Sequence, residues 1–115
     1  MLQKVLHFKI QCDIIEMRER GEKMQFEWDD EKEQKNIKKH GIDFETASRV
    51  FQDENRVEIY DEAHSEYEDR YITIGTINGI AYVLIVVYTE RDEAIRLISA
   101  RKATAKERSM YYDYT

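Results

Sequence analysis

The run RYITIGTI-NG-IAYVLIVVY, Arg70 to Tyr88, constrains this chain more than any other feature. Two segments rich in Ile, Val, Tyr and Thr flank Asn78-Gly79. A pair of residues that tolerates positive φ between β-rich runs predicts a type I′ hairpin. A two-residue turn fixes the register, so Ile77 is expected opposite Ile80, Ile74 opposite Val83 and Arg70 opposite Val87. A second hairpin is expected with Glu90-Arg91-Asp92-Glu93 as its loop. With Thr89 paired to Ala94, Val87 faces Arg96 and Tyr82 faces Arg101.

Alternation along each strand then sorts the side chains. Arg96 and Arg101 are five positions apart, so a regular strand turns them to opposite faces unless a bulge intervenes. Arg96 falls with Ile72, Ile74, Val83, Ile85, Val87 and Ile98, on a face apolar enough for helices to cover. Arg101 falls with Tyr71, Thr73, Tyr82, Tyr88 and Ser99, on an amphipathic face that can stay open. Arg70 and Arg96 flank Val87, two strand spacings or about 10 Å apart. An arginine among aromatics and hydroxyls suits a polyanion. The alternative for Arg70 and Arg96 is an ion pair at the core rim, with Glu68 or a helix carboxylate.

Along the chain, helices are expected before and after this sheet. FEWDD, Phe26 to Asp30, reads as a short strand entering a helix, with Asp30 and Glu33 as a capping pair. That helix runs to His40, and Gly41 suits the residue after its end. It is polar nearly all round, carries the favourable Glu31–Lys35 pair, and presents Lys35, Lys38 and Lys39 to solvent. A second helix has Asp43 as N-cap, a staple between Ile42 and Ala47, and a packing face of Phe44, Ala47, Val50 and Phe51. Val57 to Tyr60 reads as an edge strand protected by its charges. Glu62, His64, Glu66 and Glu68 match no standard metal spacing, and no metal is expected. Thr104 and Glu107 form a capping box for a C-terminal helix that exposes Lys106 and Arg108 and packs Met110 and Tyr111.

The order predicts an α+β domain: two N-terminal helices and a C-terminal helix on one side of an antiparallel sheet of about four strands. The 115-residue length suits one domain, and proline, the usual linker residue, is absent. Residues 24–115 are expected to form it. Residues 1–23 are expected to be an extension that does not belong to the native protein. Within them Leu6, Phe8, Ile10 and Cys12 alternate with polar residues as in a strand, and Gly21-Glu22-Lys23 before Met24 is compatible with a purine-rich, ribosome-binding-like codon run. One cysteine, Cys12, rules out an intrachain disulfide and fits a reducing cytoplasm. No apolar run approaches the roughly 20 residues of a membrane-spanning helix.

FEWDDEKEQKNIKKHGIDFETASRVF, EDRYITIG and VVYTERDEAIRLISARKATAKERSMYYDY together resemble the BrnT toxins of type II toxin–antitoxin modules. The resemblance covers Met24 to about Tyr114 and leaves out the first 23 residues. It implies a RelE-like ribonuclease fold, RNA cleavage that inhibits translation, and neutralisation by a DNA-binding BrnA antitoxin. Operator DNA would be reached only through that antitoxin; no cofactor and no membrane are implied. The matching positions are His40, Arg70, Arg91, Arg96 and Arg101.

Metal-free RNA cleavage needs the 2′-hydroxyl in line with the phosphate, a base, an acid, and a fixed cation for the growing phosphoryl charge. Arginine suits the last role through its planar fork and permanent charge. Arg70, Arg96 and Arg101 are the candidate cations, and Glu68 or His40 the candidate base or acid. For His40 the alternative is a histidine favoured by the helix C-terminal dipole. Arg91, Lys102, Lys106, Arg108, Tyr71 and Tyr82 are the candidate RNA contacts. The net charge of −6 argues against attraction of RNA by the overall field and suits a basic partner. A non-catalytic interaction or corepressor subunit on the same fold is therefore the alternative function.

Overall fold

The computed structural model describes residues 10–17, 22–77 and 82–113. In chain order they form β1 (Ile10–Met17), β2 (Glu22–Asp29), α1 (Asp30–His40), α2 (Phe44–Ser48) with a 3₁₀ turn over Arg49–Gln52, β3 (Val57–Tyr60), a 3₁₀ turn over Glu62–His64, β4 (Tyr71–Thr76), β5 (Val83–Arg91), β6 (Ala94–Lys102) and α3 (Ala105–Asp113). The α+β class is as expected. The sheet is larger, with six strands in the order β1-β2-β6-β5-β4-β3. It is also mixed, because β2 runs parallel to β6 while every other pair is antiparallel.

The helices occupy both faces rather than one. On the inner face, α2, the Ile42 before it and the 3₁₀ turn after it bury Ile42, Phe44, Ala47, Val50 and Phe51 against Phe26, Trp28, Leu84, Val86, Tyr88, Leu97 and Ala100. Each large apolar side chain buried there contributes about 1.5–3 kcal/mol. On the outer face, α3 brings Tyr111 and Met110 over Ile74, Val83 and Ile85. Helix α2 and its 3₁₀ turn thus cover the Tyr71–Thr73–Tyr88 face, which had been expected to stay open. Two of its hydroxyls are engaged: the Tyr88 hydroxyl donates to Glu58 at 2.5 Å and Thr73 Oγ1 donates to the Val57 carbonyl at 3.5 Å. Burial and that bond to Glu58 push the Tyr88 phenol well above its ordinary range.

Both hairpin registers differ from expectation by two residues. Ile74 faces Ile85, not Val83, and Val87 faces Ile72, not Arg70. A shift of two preserves every side chain's face. The Asn78-Gly79 turn and the Ile77–Ile80 pair involve residues outside those described. In the second hairpin Arg91 pairs with Ala94 and Thr89 with Arg96. The connection shrinks to Asp92-Glu93, whose φ values of 48° and 68° make the tight turn. The register then slips at Tyr88/Val87, which face Leu97 and Ser99, so Ile98 is an extra residue in β6. Beyond this bulge Ile85 faces Arg101, which had been expected opposite Tyr82.

Capping follows the sequence with one correction. Asp29, not Asp30, caps α1, accepting from the Glu31 N–H at 2.9 Å. Glu33 is then released to accept the Phe44 N–H at 2.9 Å, which joins the starts of α1 and α2. Gly41 ends α1 at φ 75°, and Asp43 caps α2 through the Thr46 N–H and hydroxyl. Helix α1 is not wholly a surface element, because Asn36 is buried. Its Nδ2 donates to the Ala100 carbonyl at 2.8 Å and the Ile42 carbonyl at 2.9 Å, and its Oδ1 accepts from the Ala100 N–H at 3.1 Å. The paired part of β2 ends opposite Leu97, so this amide continues the ladder on β6 just past the bulge.

Helix α3 is fixed to the sheet at two points. Asp53 accepts from the Tyr111 hydroxyl at 2.6 Å and from the Thr76 N–H at 2.9 Å. Burial alone would raise its pKa, but these bonds hold the carboxyl below its usual range. Gly75 makes room for this contact: a Cβ there would lie 2.9 Å from Val50 Cγ1 and 3.0 Å from Asp53 Oδ2. The second point is the Arg101–Glu107 pair described below.

Candidate active face

The bulge at Ile98 decides which cations can act together. Leu97 and Ala100 both point to the inner face, so Arg96 and Arg101 both point to the outer one, against the regular-strand expectation. Val87 and Thr89 lie on that same outer face of β5. Alternation carried one residue back from Tyr71 places Arg70 there too, beside Thr89. The three candidate cations therefore share one face. Between them Ile72, Val87, Ile98 and Ser99 are half-exposed, since α3 covers only the end near Ile74 and Ile85.

The arginines differ in what already holds them. Arg96 donates to Glu27 at 2.9 Å, and the two side chains are only 16% and 18% exposed. This is the rim ion pair expected as the alternative, with a strand carboxylate as its partner. Arg101 forms a two-pronged pair with Glu107, both bonds 2.8 Å. The Arg101 bond holds the Glu107 carboxyl down at about 2 despite partial burial. That carboxylate also accepts the Thr104 N–H, completing the expected capping box. Arg91 pairs with Glu68 at 3.2 Å at the same end of the sheet as Arg70 and Arg96. Among the described residues no carboxylate pairs with Arg70, and its Nε is buried without a hydrogen-bond partner. Thr89 Oγ1 beside it is committed to the Asp69 carbonyl at 2.5 Å.

The remaining candidates lie elsewhere. His40 closes α1. Tyr71 is on the inner face, stacked on Tyr88 with ring centroids 5.5 Å apart. Tyr82 is exposed at the start of β5 with the Lys102 ammonium 4.6 Å over its ring. Lys106 and Arg108 are exposed on α3. Among the described residues no three His, Cys, Asp or Glu side chains are grouped to hold a metal, and His64 bonds instead to Asp61. Sequence reasoning missed Glu27 and Asn36. Glu27 reaches Arg96 through a parallel strand pairing 69 positions apart, and no local pattern encodes such a contact.

Residues 28–107 match the family described as ribonuclease toxin, BrnT, of type II toxin-antitoxin system. The chain belongs to the BrnT family. The matched span includes α1, the whole β3–β6 sheet region, Arg70, Arg91, Arg96, Arg101 and Glu107. Membership makes this a ribonuclease toxin family chain with an antitoxin partner. No curated protein matches the chain. Among the described residues no helix is long and apolar enough to cross a membrane.

Proposed function

We propose that this BrnT-family chain is a metal-independent endoribonuclease that cuts RNA on the outer sheet face and so inhibits translation in the cytoplasm. We further take its antitoxin to be of the DNA-binding BrnA type, and the toxin domain to be residues 24–115. The observation that carries the reading is Arg70: a guanidinium with no carboxylate partner, on the same face as Arg96 and Arg101. No carboxylate competes with a phosphate for its guanidinium, whereas Arg96, Arg101 and Arg91 must share theirs with Glu27, Glu107 and Glu68.

In this reading the scissile phosphate lies across Arg70 and Arg96, where developing phosphoryl charge meets fixed cations. The Glu68 carboxylate takes the proton from the 2′-hydroxyl. The 2′-oxygen attacks phosphorus, the bond to the 5′-oxygen breaks, and that oxygen takes a proton from water. The products are a 2′,3′-cyclic phosphate and a 5′-hydroxyl. Arg101 holds the flanking phosphate, and Arg91 keeps Glu68 in place. Lys106 and Arg108 on α3, with Lys102 and Tyr82 at its rim, extend the RNA path. In this reading His40, at the end of α1, and Tyr71, stacked on Tyr88 on the inner face, take no part.

Induction of the chain without antitoxin tests this. Growth arrest with RNA loss, abolished in a folded Arg70→Ala variant, is expected. Arrest that persists in Arg70→Ala contradicts the assignment, and normal growth with folded wild-type protein favours the interaction-subunit alternative.

A further inference from the structure

Among the described residues the sheet ends at β3, which pairs with β4 alone. The Asp61 N–H donates to the Arg70 carbonyl at 2.8 Å, just beyond the Tyr60–Tyr71 pair. In an antiparallel ladder, residues alternate between pointing their backbone groups at the neighbour and away from it. Asp61, Ile59 and Val57 therefore point theirs at β4, and the Thr73 hydroxyl bond to the Val57 carbonyl agrees. Glu58 and Tyr60 point their N–H and C=O groups outward, and among the described residues these groups have no hydrogen-bond partner.

Natural edges are usually blunted by charges standing over them. Here the Glu58 carboxylate is turned away, bonded to Arg56 Nε at 2.8 Å and to the Tyr88 hydroxyl. A cleft runs beside the strand, lined by Arg56, Val57, Glu58, Ile59 and Met110. Val57, Ile59 and Met110 make its apolar side, half-buried on the outer face. The surroundings are strongly acidic. Residues 53–69 hold Asp53, Glu54, Glu58, Asp61, Glu62, Glu66, Glu68 and Asp69 against Arg56 alone. Tyr60 and Tyr67 stand exposed among them, at 49% and 94%, which suits cation–π contact.

We infer that the outer edge of β3 is a strand-addition site for an extended, basic segment of the antitoxin. An added strand takes up the outward groups of Glu58 and Tyr60. Its alternate side chains fall to opposite sides. One set, apolar, enters the cleft over Val57, Ile59 and Met110. The other set, Lys or Arg, meets Tyr60 and the acidic loop. The sheet would then grow past β3, beside the open outer face. This rests on the reading of the chain as an antitoxin-bound toxin.

The test is amide hydrogen exchange on the full chain, free and in complex with its antitoxin, read residue by residue by NMR. Glu58 and Tyr60 amides are expected to slow at least tenfold in the complex. Glu62→Lys with Glu66→Lys, both exposed, is expected to weaken the complex at least tenfold at low salt, with thermal melting unchanged. A complex that leaves the Glu58 and Tyr60 amides fast, or that tolerates the charge reversal, overturns the site while leaving the toxin reading intact. Failure of the wild-type chain to bind an antitoxin overturns both.

Discussion

Replacing Asn36 by Ala removes the amide that stands in for a neighbouring strand beside the bulge. Three hydrogen bonds of 2.8–3.1 Å are lost at a site only 6% exposed. They are worth about 1 kcal/mol each, and the Ala100 N–H, Ala100 C=O and Ile42 C=O are left buried without partners. The expected cost is about 3 kcal/mol. For a domain of this size that lowers the melting temperature by roughly 10–20 °C. The effect should also be local, because Ala100 lies between the bulged Ile98 and Arg101. The assay is a thermal melt combined with amide exchange in β6. The Ala100 amide is expected to exchange fastest relative to wild type, and Arg101-dependent RNA binding to fall with it. An Asn36→Ala protein that melts within 2–3 °C of wild type, in the approximate scale above, would refute the reasoning.

Acid stability should carry the mark of Glu107. Its folded pKa, about 2, lies below the ordinary value of 4.5, so its contribution is present above pH 4.5 and is lost as pH falls through about 2. Arg101 is 39% exposed, and solvent screening reduces the value of the pair to about 1 kcal/mol. Glu107→Gln is expected to flatten the stability–pH curve in that window, checked by urea melts from pH 6 to pH 2. Gly75→Ala is expected to cost about 1–3 kcal/mol by overpacking, since the new methyl meets Val50 and the Asp53 carboxylate. Its loosening of α3 is read from Tyr111 fluorescence.

Most of the local structure was legible because local chemistry dictates it. The Asp43 cap, the Gly41 helix end, the Thr104–Glu107 box and the β-rich runs each rest on a few neighbouring residues. The non-local parts were not. Nothing in EKMQFEWD states that it lies parallel to β6, so the strand count fell short and Glu27 was missed. The bulge at Ile98 has no composition signal, yet it reverses the sidedness of Arg101. The Tyr71–Thr73–Tyr88 face looked amphipathic because the Thr73 and Tyr88 hydroxyls count as polar until the Val57 carbonyl and Glu58 are seen to satisfy them. The family motifs carried the site arginines into view, but only the fold sorted them into one uncommitted residue and three that hold carboxylates.

The most direct measurement is cleavage of RNA by the purified chain in excess EDTA, beside Arg70→Ala and the charge-neutral double variant Arg96→Ala with Glu27→Ala, each checked for folding by circular dichroism. The account predicts cleavage by the wild-type chain that EDTA does not abolish, 2′,3′-cyclic phosphate ends, and a loss of at least about 100-fold in both variants. Cleavage that EDTA abolishes, or that survives both substitutions, would contradict it.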